Sequence, residues 1–276
     1  MTSAAVTASD VHVATSDVVI DLSRFAATID TARLDAAVIK AVKTNILDTL
    51  SCALAGSSAK AIADVAGLVR AWGGTAQADM FVFGGKFPAH HAAWVNGGMS
   101  HARDYDDTHD GAILHAGVTS VPAAIAAGQL RGTLSGADLI AAVAAGLEVT
   151  CRLGVAIQVD IIESGFIYTS LLGYFGATAA AGRALGLTAE EMVQAFGIVY
   201  SSVAGNHQVT RDASLMKRLQ ARTRRAGGGG CGAARSSAAF AARRGCSKAP
   251  TVSSASISTA ASMPTWCARI SAGASS

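Results

Sequence analysis

Residues 135–155 read SGADLIAAVAAGLEVTCRLGV, and residues 173–185 read GYFGATAAAGRAL. The first is a long Ala-rich run with Ser135 placed to cap its start, because a Ser hydroxyl accepts the free N–H groups of a first helical turn. The second has the same composition, with Ala and Gly at the apolar positions. Side chains this small let helix backbones approach closely. The two stretches therefore predict several helices packed at short distance, and with few strand signals elsewhere the expected fold class is all-α.

The flanking sequence fits that frame. In residues 30–55, Ala37, Ile39, Val42, Ile46 and Leu50 recur at three- and four-residue steps before the stop Gly56-Ser57-Ser58. Further helices are expected over 59–72, 89–101 and 121–130, with a short extended piece at 78–83. Thr188-Ala189-Glu190-Glu191 has the form of a capping box opening a helix that runs to Ser202. Residues 1–20 carry no clear period and are expected to be a flexible leader; 21–220 form the helical domain; 221–276 form a separate tail.

Composition narrows the class. With 51% hydrophobic and 15% charged residues, the chain is not of disordered type. Five Cys in 276 residues are too sparse for a disulfide-stapled scaffold. Cys52 and Cys151, in apolar helices, read as buried small hydrophobes. The N-terminus lacks the basic start and apolar run of a signal peptide, and no stretch stands out as a membrane span, so a cytoplasmic protein with no membrane partner is expected. Eight of the 22 Lys and Arg lie after Gln220, where there is no Asp or Glu, so the first 220 residues carry a net charge of −5 and the rest +8.

Chemistry concentrates in residues 96–110, NGGMSHARDYDDTHD, followed by His115. If the preceding helix continues, His101, Asp104 and Thr108 share one face, and a bend at Gly111 folds His115 back toward it. Three readings fit these residue types: a solvated acidic helix end, a metal site, or a carboxylate and an imidazole exchanging a proton with a substrate near neutral pH. No HExxH or two-His-one-carboxylate spacing is evident.

The run NGGMSHARDYDDTHDGAILHAG, with VPAAIAAGQ after it, resembles the signature of the MmgE/PrpD family, whose members include 2-methylcitrate dehydratase, cis-aconitate decarboxylase and an iminodisuccinate epimerase. The likeness continues in order through Leu47-Asp48-Thr49-Leu50, Gly165-Phe166 with Gly176-Ala177-Thr178, and Met216-Lys217-Arg218-Leu219. The resemblance implies a helical main domain with a smaller α/β lid, a homodimer, and no required metal or cofactor. It implies a lyase acting on a citrate-like polycarboxylate, a hydro-lyase of 2-methylcitrate dehydratase type, with epimerisation or decarboxylation as alternatives. A non-catalytic helical protein that binds metal through its Asp/His cluster is the rival from another class. Asp104, Thr108, His115 and Lys217 fall on the family's active-site positions. His115 is then the acid/base residue, and Asp104 its partner or an orienting group. Thr108 supplies a hydrogen bond to substrate, and Lys217 offsets negative charge on the substrate or an enolate-like intermediate.

Two departures stand out. Ile167 occupies a place where dehydratase and decarboxylase members carry His, which removes one imidazole and points to a different polycarboxylate or reaction; Tyr168 or His207 are candidates to replace it. After Leu219, Gln220-Ala221-Arg222-Thr223-Arg224-Arg225 stands where the family has Pro-Gly and an Ala-rich helix. A one-base shift of GC-rich codons near position 221 accounts for this, and the tail is then out-of-frame sequence rather than a basic nucleic-acid-binding arm. That reading leaves the lid domain missing, apolar helix faces exposed, and activity small or lost.

Overall fold

A computed structural model describes residues 17–158 and 163–220. The tail beyond Gln220 and the first sixteen residues lie outside the described residues, as do the expectations placed on them. The described residues are mainly helical, and the all-α expectation holds.

Helix α1 (Val18–Thr28) is followed by a 3-10 turn (Thr31–Arg33), α2 (Ala36–Gly56) and α3 (Ile62–Trp72). A two-stranded antiparallel hairpin, β1 (Ala78–Asp79) with β2 (Lys86–Phe87), precedes α4 (Ala89–Ser100) and α5 (Gly117–Arg131). Then come α6 (Gly136–Ala156), α7 (Tyr168–Leu185), α8 (Ala189–Tyr200) and two single-turn helices, α9 (Gln208–Arg211) and α10 (Lys217–Gln220).

The three central helices are α5, α6 and α7, packed on one another. Their interface is made of Ala123, Ala124, Ala141, Ala142, Ala145 and Ala179 to Ala181, all buried. Close approach is the reason these positions are small. A Cβ on Gly176 of α7 would lie 1.8 Å from Thr150 Oγ1 and 2.8 Å from the Gly146 carbonyl oxygen of α6. On one side, α1 lies across α7 and α8; on the other, α2 and α4 pack against α5. A second cluster joins α3, the hairpin and α4 through Ile62, Val69, Met80, Val95 and Met99, and Leu219 of α10 packs into it. The hairpin is tied down by two amides: Gln129 accepts from the Asp79 N–H at 2.9 Å, and Asn96 accepts from the Phe81 N–H at 2.8 Å.

Several expectations meet corrections. Helix α1 begins at Val18, inside the expected leader, where the Asp17 carboxylate accepts from the Val19 N–H. Helix α5 starts four residues before the expected position 121, and α7 starts five before 173. Of the extended piece 78–83 only Ala78–Asp79 pairs, because Val82 turns to a positive φ of 60° and reverses the chain. Ser135 caps α6 and Thr188 forms the full capping box of α8, as the sequence indicates. By length and composition α6 qualifies as a membrane span, against the expectation that none stands out. It is instead the core helix, with a buried face formed by residues such as Ala141, Val143, Val149 and Cys151.

Gly67 in α3 and Gly197 in α8 stand in open surroundings, where an added Cβ would meet no neighbour within 4 Å. Gly67→Ala should therefore stabilise the fold by about 0.5–1 kcal/mol, since Ala loses less chain entropy on entering a helix. Urea unfolding followed by circular dichroism checks this; a lower midpoint counts against the open environment described.

Candidate active site

Helix α4 ends at Ser100, and His101 is its C-cap, with its N–H donated to the Gly97 carbonyl at 3.1 Å. The helix does not continue through the cluster, so His101, Asp104 and Thr108 do not share a helical face. The chain turns instead, with Asp104 at a positive φ of 52° and Ile113 at 51°. An isolated bridge between His109 and Leu114 closes the bend around Gly111. The loop is pinned to its surroundings near its middle and at its end. The Asp107 N–H donates to Asp48 Oδ2 of α2 at 3.2 Å, and the His115 N–H donates to Thr169 Oγ1 of α7 at 3.0 Å. Gly117, the first residue of α5, sits so close to α2 that a Cβ there would lie 2.6 Å from Asp107 Oδ1 and 2.7 Å from Thr49 Oγ1.

The loop gathers two imidazoles around one carboxylate. Asp106 Oδ2 lies 2.9 Å from His101 Nδ1 and 2.9 Å from His115 Nδ1. The two rings stand 4.8 Å apart at 67°. His101 Nε2 is 3.9 Å from Asp104 Oδ1, and Asp104 takes the Lys217 ammonium on both oxygens at 2.8 and 2.9 Å. The series Lys217, Asp104, His101, Asp106, His115 therefore alternates basic and acidic groups. Its interior is buried: His101 is 3% exposed and the Asp106 side chain 0%. Its ends reach solvent, with 21% of the His115 side chain and 34% of Lys217 exposed.

These contacts set the charge states. Burial pushes the Asp106 carboxyl up, but the His101 hydrogen bond, the close His115 contact and the charge of the two rings overcome it and hold the group well below the usual carboxylate range. Burial would lower His115; its close contact with and attraction to Asp106 win, and it is raised above the ordinary 6.5. Next door, burial and the charges of Asp106 and Asp48 push Asp107 up to about 6. A carboxyl raised in the folded state favours folding while neutral, and that contribution is lost as pH rises through about 6. Asp107→Asn should therefore stabilise the protein by about 1 kcal/mol at pH 8 and have almost no effect near pH 4. Thermal melts across that range check the sign; an Asn variant weaker than the parent at pH 8 contradicts it.

Of the four residues read from the sequence, Asp104, His115 and Lys217 come together around His101. Thr108 points elsewhere, to the wall of a cavity of about 700 Å³ between α2 and α6 that Asn45, Asp107 and Cys151 also line. Asp104 is not the partner of His115; it pairs with Lys217, and Asp106 holds His115. Asp106 and His101 stand at the centre of the group, although the sequence reading gave neither of them a role. Both lie inside the noted cluster, but only a turn, not a helix, brings residues five and fourteen apart onto one point. The assembled group also has the two-His-one-carboxylate composition that the spacing did not show, with donor atoms within 4.8 Å of one another. His101 Nδ1 is hydrogen-bonded to Asp106 Oδ2, and His115 Nδ1 stands 2.9 Å from the same oxygen, so this carboxylate oxygen already serves the two rings as counter-charge. Ile167 is the N-cap of α7, its N–H donated to the Gly205 carbonyl at 2.9 Å, and it brings no titratable group.

The family model of the MmgE/PrpD N-terminal domain matches residues 20–261. The chain belongs to the MmgE/PrpD family. Curated MmgE/PrpD relatives include a cis-aconitate decarboxylase-like protein of Aspergillus oryzae, 27% identical over 194 residues, which are 68% of this chain and 40% of the relative. A cis-aconitate decarboxylase of Aspergillus terreus is 28% identical over 197 residues, 70% of this chain and 40% of its own. The human cis-aconitate decarboxylase is 35% identical over 119 residues, 42% of this chain and 25% of its own. The chain thus spans about 40% of the length of the fungal relatives. These relatives are named for decarboxylation, a carbon–carbon lyase reaction, and not for the dehydration first expected.

Proposed function

We propose that this chain carries the proton-transfer part of an MmgE/PrpD lyase site acting on a citrate-like polycarboxylate, with decarboxylation of an alkenyl tricarboxylate such as cis-aconitate as the favoured reaction. The observation that carries the reading is the partly exposed His115, kept protonated toward neutral pH by a buried carboxylate, in one cluster with the Lys217 ammonium. In such a reaction a carbon–carbon bond to a carboxylate breaks and CO₂ leaves. The electron pair forms a new double bond while the old one shifts onto the carbon beside a remaining carboxylate, which takes a proton. His115 is the donor of that proton, and Lys217 offsets the charge on the remaining carboxylate. Asp104, now paired to Lys217, gives the ammonium up to the substrate carboxylate. Thr108, on the adjoining cavity wall, is kept as a substrate contact at that cavity's edge. No cofactor enters this scheme, and a homodimer is retained as the assembly.

Dehydration of a 2-methylcitrate-type substrate uses the same groups in the other sense, with His115 taking the proton from carbon. It requires a neutral imidazole, and Asp106 works against that. Incubating the full chain with cis-aconitate and with 2-methylcitrate, and following both by proton NMR alongside calorimetric binding of propane-1,2,3-tricarboxylate, tests the proposal. Loss of cis-aconitate with CO₂ release, slowed by about a hundredfold or more in His115→Ala, supports it. Neither turnover nor tricarboxylate binding that Lys217→Ala weakens would sink it. Stoichiometric transition metal in the purified protein favours the metal-binding rival.

A further inference from the structure

The imidazole of His101 belongs to both ends of the site and is too buried, at 3% exposure, to touch a substrate. Through Nδ1 it meets Asp106 at 2.9 Å, and through Nε2 it faces Asp104 at 3.9 Å. Asp106 is therefore divided. His101 Nδ1 makes the aligned hydrogen bond to its Oδ2, His115 Nδ1 stands 2.9 Å from the same oxygen as an ion contact without an aligned hydrogen bond, and Oδ1 has no hydrogen-bond partner among the described residues. A carboxylate oxygen whose aligned hydrogen bond goes to one imidazole holds a second imidazole, attracted to it by charge, less firmly. We propose that His101 is a positioning residue for the His115 proton-transfer group: wedged between Asp104 and Asp106, it fixes both carboxylates and takes part of Asp106 Oδ2 away from His115.

The inference rests on the reading of His115 as the proton-transfer group. It gives the buried ring a task that space-filling alone does not. Without His101, Asp106 would attach to His115 alone, and His115 would keep its proton too tightly to deliver it. Asp104 would lose the ring that stands between the Lys217 pair and the Asp106 pair. The charged groups around His115 are Asp106 and Asp107 on its own loop and His101 at the end of α4. Asp48 of α2 lies behind Asp107, and Asp104 with Lys217 lies beyond His101. Substituting His101 removes none of these other charged groups.

The test is an NMR titration of the His115 ring in the full 276-residue chain labelled at histidine. In His101→Phe the His115 midpoint should rise by about half a unit or more, because one donor to the shared oxygen is gone. His101→Asn places an amide N–H where Nδ1 stood and should leave the midpoint within about 0.2 unit of the parent. His101→Gln reaches toward the Nε2 place instead, leaves Asp106 to His115, and should behave like the Phe variant. A purely space-filling role predicts no upward shift in any of the three. An unchanged or lowered midpoint in His101→Phe overturns the proposal. If that variant loses its cooperative melt, the Asn and Gln variants decide, and equal midpoints for the two overturn it. The titration needs no substrate, so a failure of tricarboxylate turnover or binding would count against the lyase reading alone.

Discussion

Asp106→Ala is expected to destabilise the protein by about 3 kcal/mol or more, because it removes the buried carboxylate that lies 2.9 Å from both imidazoles and leaves them without their nearest partner. For a chain of this size that corresponds to a fall in melting temperature of roughly 6–12 °C. The loss should depend on pH in a defined way. Asp106 is held below its ordinary 3.8, so its contribution is present above that pH and disappears as pH falls through the depressed value. His115 is held above its ordinary 6.5, so its contribution is complete below that pH and disappears as pH rises through the raised value. Both are in force between about pH 4 and pH 6.5, and the gap between parent and variant should be widest there. Urea titrations at pH 5.5 and pH 9 measure it. A gap that widens at pH 9 would mean that the carboxylate–imidazole contacts do not carry the stability assigned to them.

Gly176→Ala is the second large effect. The added methyl would sit 1.8 Å from Thr150 Oγ1 and 2.8 Å from a backbone oxygen of α6. Thr150 is not free to swing aside, since its hydroxyl donates to the Gly146 carbonyl at 2.8 Å and the residue is fully buried. The backbone oxygen cannot swing at all, so α6 and α7 must part along the most extensive interface of the core. Overpacking of this kind costs about 3 kcal/mol, at the upper end of its range. Adding Thr150→Ala should recover part of the loss, because one of the two collisions vanishes; a double variant no better than the single would place the strain elsewhere. Gly67→Ala, with open space around it, is the natural control.

The fold was legible where local chemistry decides. The Ser135 cap, the Thr188 box and the Ala-rich runs each carry their instruction within a few residues, and all three appear as read. The errors fall where tertiary contact outweighs local pattern. Helix α1 rests on an Asp17 cap within a segment of weak period, and its partners α7 and α8 lie more than a hundred residues away. The first turns of α5 and α7 hold Gly117, Thr169 and Ser170, poor helix formers that are buried against other helices. In the site, residue types were enough to mark the cluster, and three residues named on the likeness, His115, Asp104 and Lys217, lie in one group in the fold. The pairing was not readable, because it follows from Asp104 turning to positive φ. That turn breaks the helical face expected to match Asp104 with His115 and presents Asp106 in its place.

The two anchors of the 101–116 loop have a mechanical consequence. With its middle fastened to α2 through Asp48 and its end to α7 through Thr169, the loop holds His115, the proposed proton source, in a fixed place. Lys217 stands at the start of a four-residue helix and swings on a four-carbon stem. Under the proposed function, a visiting acid therefore meets a fixed post on one side and a travelling arm on the other. The distance between its carboxylates is measured by the reach of that arm.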